Sequence, residues 1–208
     1  MSNHIKNVVV FCGSSPGNDQ GIIDESEKLG RLLGENGYDF IYGGGTSGLM
    51  GVSAKAALAA GSFVKGVIPK IFHTAGSKEQ GHLQGALEQV VDSMSERKEI
   101  MMDEADACIV LPGAYGSLDE IYEMAVAQQL KVYTDPEANV QPIIVLNFEG
   151  FYDGQIASLD KMVEKGFLSA DMREFVQFVD TADEAIAVLN ASNAIAPVQA
   201  KQYLPKPK

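Results

Sequence analysis

Three glycine-rich stretches, one carboxylate and one arginine hold most of the chemistry legible in this sequence. The stretches are Cys12-Gly13-Ser14-Ser15, Gly43-Gly44-Gly45-Thr46-Ser47-Gly48 and Pro112-Gly113-Ala114-Tyr115-Gly116-Ser117. Each follows a short apolar run, and the second and third open helical stretches. Glycine lets a backbone approach an anion closely and adopt positive φ. Free amides and the helix dipole at such a turn favour phosphate. Gly13, Ser14, Gly43, Gly44, Gly45, Thr46, Gly113, Ala114, Tyr115, Gly116 and Ser117 are therefore candidate phosphate and ribose contacts. Blander roles stand beside these. Ser14 and Thr46 could cap turns, and Tyr115 could be an exposed loop residue rather than a platform for a base.

Glu120 and Arg97 are the candidate catalytic residues. Ser117-Leu118-Asp119-Glu120 reads as a capping box, with Ser117 as N-cap and Glu120 three residues on. Capping alone would be worth about 1 kcal/mol. A carboxylate in a first helical turn at a ligand edge is also placed to orient a sugar hydroxyl or to stabilise positive charge. Arg97 lies three or four residues from Met94, Ile100 and Met101, inside an apolar stripe. It either snorkels from the edge of that stripe or directs its fork of donors at an anion. Met94 and Lys98 are base-pocket candidates, although Lys98 sits about 100° round the helix and suits a solvated charge.

These residues need a scaffold, and the pattern supplies one. Strands are expected at 7–11, 39–42, 63–67, 87–91, 107–111, 143–146 and 175–179. Several are continuous apolar runs, as in strands covered on both faces. Helices are expected at 24–36, 49–60, 93–104, 118–129, 152–165 and 182–191. This alternation predicts a doubly wound, Rossmann-like α/β fold: an open parallel sheet of about seven strands with helices on both faces. Residues 1–195 read as one nucleotide-binding domain. The polar stretch 70–85 breaks the rhythm, and 196–208, with three prolines, reads as a flexible tail. Ligands bind such sheets beyond the carboxyl ends of the strands, where the three glycine stretches fall.

Composition narrows the partners. A formal charge of -12 and a pI near 4.6 argue against a nucleic-acid backbone. No apolar run approaches the roughly 20 residues of a membrane helix, and the polar start does not read as a signal peptide. The two cysteines, Cys12 and Cys108, sit in separate apolar runs and suit packing in a reducing cytoplasm. His4, His73 and His82 lack ligand spacing, so no metal is expected. Gly43, Gly45 and Gly48 formally match GxGxxG, but the motif follows the second strand, and no acidic residue closes the third to hold a ribose diol.

Taken together, the stretches resemble the LOG family, the cytokinin riboside 5'-monophosphate phosphoribohydrolases, whose bacterial members were long labelled possible lysine decarboxylases. The resemblance runs from about Val8 to Leu189. It rests on Phe11 to Ser15, Tyr42 to Gly45, Gly48 to Gly51, Gly66 to Pro69, Met94 with Glu96 to Lys98, Ala105 to Ala107, and Leu111 to Glu120. The last is similar to the family signature PGGxGTxxE, with the glutamate at Glu120; the signature arginine falls at Arg97. The resemblance implies hydrolysis of the N-glycosidic bond of AMP or an N6-substituted AMP to free base and ribose 5-phosphate. It implies no cofactor, and it implies a homodimer with the site near the interface. Ala114 replaces the second signature glycine, Ser117 the threonine, and Ser95 a histidine. Val126-Ala127 stands where a tryptophan often precedes the Gln129-Leu130 pair. These departures allow a second reading, a non-catalytic nucleotide sensor on the same scaffold. Lysine decarboxylation would need an electron sink, and no lysine here has a recognisable pyridoxal-phosphate context.

Overall fold

The apolar runs become one seven-stranded, fully parallel sheet of order β4-β3-β2-β1-β5-β6-β7. The computed structural model describes residues 4–73, 82–135 and 139–194. The expected tail 196–208 and the segment 74–81 of the polar stretch lie outside the described residues. In chain order the elements are β1 (Asn7–Phe11), α1 (Gln20–Glu35), β2 (Asp39–Tyr42), α2 (Gly48–Ala59), β3 (Val64–Pro69), α3 (Lys70–His73), β4 (Leu87–Val91) and α4 (Met94–Asp103). They continue with β5 (Ala107–Val110), α5 (Tyr115–Thr134), β6 (Ile143–Leu146), a 3-10 turn (Phe148–Gly150), α6 (Asp153–Glu164), α7 (Ala170–Arg173), β7 (Val176–Val179) and α8 (Ala182–Ala194).

Alternation along each strand feeds two cores. Val8 and Val10 face Leu29 and Leu33 of α1 and Ala54 and Ala57 of α2. Val9 and Phe11 face Met101 of α4 and Ile121 and Met124 of α5. Helices therefore cover both faces, as the apolar strands require. The α1–α2 seam is a backbone contact through glycine. A Cβ on Gly30 would stand 2.1 Å from the Ser53 carbonyl oxygen, so Gly30→Ala must force the helices apart.

Asp106 sets the register that matters for the site. Its Oδ2 accepts from the amides of Lys6 and Asn7, at 2.9 and 2.8 Å. With Val8 opposite Ala107 and Phe11 opposite Val110, β1 and β5 end level. Strand positions agree with the sequence reading to within two residues. Helix starts differ more. α1 begins four residues early because Asp19 caps it, its Oδ1 accepting from the Gly21 amide at 2.8 Å. α5 begins at Tyr115 rather than 118 and runs on to Thr134. The one-turn helices α3 and α7 were too short to show a helical period.

Candidate active site

The strand order reverses between β1 and β5. From there α1 departs over one face and α5 over the other, which opens a crevice beyond the strand ends. The Gly13 amide donates to the Pro112 carbonyl at 3.0 Å, tying the two glycine loops together at its floor. Above them lies a cavity of about 440 Å³, within the range of small-molecule sites.

Of the residues singled out in the sequence, Gly13, Ser14, Met94, Arg97, Gly113, Ala114, Gly116, Ser117 and Glu120 line this cavity. Gly43, Gly44, Gly45 and Thr46 are not on its wall. Their loop follows β2, one strand away from the reversal point, and its three glycines are buried. Tyr115 points to solvent, 89% exposed. Lys98 is also absent from the wall, and ion pairs to Asp119 and Glu123 at 2.8 and 2.5 Å hold it against α5.

The capping box expected at Ser117 does not form. Ala114 is the N-cap of α5 and makes no side-chain cap hydrogen bond. Ser117 is the third helical residue and Glu120 the sixth. The 20-residue helix thus starts with its first-turn amides uncapped at the cavity wall. The Ser117 hydroxyl lies over Gly113, where a Cβ would come within 2.0 Å of Oγ. Ala114 has a negative φ, −101°, outside the left-handed region that favours glycine. Behind the loop, the Tyr152 hydroxyl donates to the Leu111 carbonyl at 2.9 Å and fixes the end of β5. Asn147 Oδ1 accepts from the Tyr152 amide at 2.6 Å and orients that ring.

Freed from capping, Glu120 is buried, and among the described residues it has no hydrogen bond or ion pair. Burial pushes its carboxyl up to about 7; Arg97 and Lys98 pull it down, Asp119 and Glu123 push it up. Arg97 does not snorkel: it is 8% exposed, and its Nε has no hydrogen-bond partner. Nη1 donates to Met94 Sδ at 3.6 Å and Nη2 to Met50 Sδ at 4.0 Å. Cys12 also lines the cavity, but burial and then the Glu120 charge push its thiol up, which argues against a nucleophilic role.

The sequence reading missed Asn18, Ile22, Leu49, Phe72 and Phe151 on the cavity wall. Phe72 and Phe151 follow β3 and β6 by a few residues. Applying the strand-end rule to every strand, rather than to the glycine stretches alone, would have pointed to both.

The family model described as "Possible lysine decarboxylase" matches residues 50–189. A probable cytokinin riboside 5'-monophosphate phosphoribohydrolase of Oryza sativa subsp. japonica is 35% identical over 206 residues, covering 99% of this chain and 76% of that protein. A cytokinin riboside 5'-monophosphate phosphoribohydrolase of Arabidopsis thaliana is 37% identical over 190 residues, covering 91% and 84%. Among solved structures, the molybdenum cofactor binding protein of Rippkaea orientalis matches with a TM-score of 0.66 at 16% identity, covering 89% of this chain and 96% of that one. At that identity the likeness shows the fold alone.

Proposed function

The chain belongs to the LOG family of cytokinin riboside 5'-monophosphate phosphoribohydrolases, and from that premise we propose that it hydrolyses the N-glycosidic bond of AMP or an N6-substituted AMP. The products are the free base and ribose 5-phosphate. The observation that carries the site assignment is Arg97 and Glu120, both buried on the wall of one crevice, neither with an ion pair among the described residues. Leaving a buried charge uncompensated costs about 3–5 kcal/mol. The phosphate of a bound nucleotide offsets that cost for Arg97, while Glu120 meets it by holding its proton up to about pH 7.

In this reading the 5'-phosphate sits at the uncapped start of α5, against the Gly116 and Ser117 amides and the Ser117 hydroxyl, with Gly13 and Ser14 opposite. The bond between the anomeric carbon and the base nitrogen breaks, and its electron pair leaves with the base. Positive charge develops on the ribose, and ionised Glu120 stabilises it. Water adds to the anomeric carbon, and its proton goes to the departing base. Arg97 helps to keep Glu120 ionised, since its charge lowers the Glu120 pKa, and offers donors to nucleotide oxygens. Met94, with Ile22, Leu49 and Phe151, supplies an apolar wall for the base; Lys98 has no part in it.

A homodimer belongs to the same reading. Its support is a stripe on α5, Tyr122, Val126, Leu130 and Tyr133, that is spaced along one side of the helix and exposed. A cytoplasmic location is supported by the two free cysteines. No helix of the described residues is long and apolar enough to cross a membrane. The decarboxylase description finds little support in the cavity, where no lysine stands among the described residues. The sensor reading is not favoured, because the curated relatives are named as hydrolases.

The test is product analysis. Purified protein is incubated with AMP, other nucleoside monophosphates and isopentenyladenosine monophosphate, and base and ribose 5-phosphate are separated by chromatography. Release by wild type and its fall by orders of magnitude in folded Glu120→Ala and Arg97→Ala variants is the expected result. Binding without release from any nucleotide would sink the hydrolase.

A further inference from the structure

The glycines after β2 are off the cavity wall, yet they are packed too tightly to be mere spacers. A Cβ built on Gly43 would stand 1.5 Å from Arg97 Nη2, 2.7 Å from Cζ and 3.2 Å from Nε. Its three nearest neighbours are thus all in one guanidinium. Gly45 meets the residue beside that guanidinium: a Cβ there would come within 2.9 Å of Met50 Cε and 3.3 Å of its Sδ. That sulfur is the atom accepting from Arg97 Nη2. Gly44, between them, faces elsewhere, with its would-be Cβ 2.9 Å from Ile68 Cβ.

We propose that the glycine run after β2 is the seat of Arg97, with Gly43 a positioning residue that leaves the guanidinium its place and Gly45 acting at one remove through Met50. The proposal rests on the reading of Arg97 as a functional residue of the nucleotide site. The chemistry of the seat fits that use. Thioether sulfurs are weak, uncharged acceptors, so Met50 and Met94 hold the guanidinium without neutralising it. A carboxylate in their place would spend the charge before a ligand arrived.

The geometry also says what a methyl group at Gly43 would do. Gly43 is not among the glycines with positive φ, so alanine fits its backbone. The atoms in the way are the far end of a flexible side chain. The fold survives and Arg97 moves.

The experiment is a double-mutant cycle on AMP hydrolysis with wild type, Gly43→Ala, Arg97→Ala and the double variant. Gly43→Ala is expected to fold and to lose about 10²-fold in kcat, the scale of an ångström-level misplacement. In the Arg97→Ala background, where the guanidinium is gone, the same substitution changes kcat by no more than about twofold. Gly45→Ala is expected to fall between wild type and Gly43→Ala. A Gly43→Ala enzyme with wild-type kcat overturns the seat. So does an equal loss with and without Arg97, which is what a merely structural glycine would give. If wild type releases no base from any nucleotide, the hydrolase reading fails instead. The cycle is then scored in melting temperature, where non-additivity supports the seat and additivity overturns it.

Discussion

The loops after β2 and after β5 look alike in the sequence and do different work. Gly43-Gly44-Gly45 is buried behind the cavity, and its missing side chains make room for Arg97, Ile68 and Met50. Pro112 to Ser117, Tyr115 apart, lines the cavity, and a Cβ on Gly116 would meet nothing within 4 Å. One loop uses glycine to admit the protein's own atoms. The other does so only at Gly113, which admits the Ser117 hydroxyl, and at Gly116 it keeps space for atoms that are not the protein's. A glycine run announces close approach; which side the approach comes from depends on strand order. β5 borders the reversal point and β2 does not.

The largest expected effect tests whether chemistry lies on the β5 side. Glu120→Gln keeps the shape of the side chain and removes its charge. Its kcat for base release should fall about 10²–10³-fold, the scale of losing one preorganised electrostatic group, with a smaller change in KM. Single-turnover assays read this without interference from product release. A variant within a few-fold of wild type would move the chemistry off α5.

The same carboxyl should reveal itself in stability. Burial raises its folded pKa to about 7 from an ordinary 4.5. Between these values the folded state holds the proton more tightly than the unfolded chain, so stability falls as pH rises. Below about 4.5 the group is protonated in both states and the loss is absent. Above about 7 it reaches its full size, about 3 kcal/mol by linkage. Glu120→Gln and wild type should therefore unfold alike near pH 4.5, with the variant the more stable at pH 8. Urea melts at the two pH values measure the difference, and parallel curves would mean that Glu120 is not desolvated.

Alanine at a single glycine in each loop sharpens the contrast. Gly116→Ala should gain about 0.4–1 kcal/mol of stability through the stiffer unfolded chain and raise KM for AMP about tenfold as its methyl enters the open space and displaces the phosphate, the scale of one lost hydrogen bond to a charged group. Gly44→Ala should do the reverse. Gly44 has φ +79° and packs on Ile68, so alanine costs about 1–3 kcal/mol of stability and leaves KM alone in the folded fraction. Calorimetry and steady-state kinetics on both variants decide it, and exchanged outcomes would invert the comparison.

Much of this was legible before any coordinates. Runs such as Val8-Val9-Val10 and Ile143-Ile144-Val145 are apolar on both faces and had to be interior parallel strands. Arg97 and Glu120 stood out by residue type and spacing, and both line the cavity. The state of Glu120 was not legible, because Ser117 to Glu120 satisfies the capping-box pattern. Only the earlier start of α5, at Tyr115, moves Glu120 into the second turn and out of a capping role. The direction of the β2 loop was hidden for a similar reason. Contact between Gly43 and Arg97 is 54 residues long-range and depends on how α4 lies on the sheet, which no local pattern encodes.

The smallest expected effect concerns Ala114, where the family signature carries glycine. Two costs were conceivable, backbone strain and blocked ligand approach. At φ −101° the residue is outside the left-handed region that favours glycine, so no positive φ calls for one. The methyl lies on the cavity wall, so steric hindrance is the remaining route. Ala114→Gly should then be slightly less stable, by about 0.4–1 kcal/mol through the freer unfolded chain. Its kcat should stay within about threefold of wild type, a change of well under 1 kcal/mol in the barrier. A gain of tenfold or more in kcat/KM, with unchanged kcat, would show that the methyl impedes the phosphate. The start of α5 would then be less open than the contrast with the β2 loop requires.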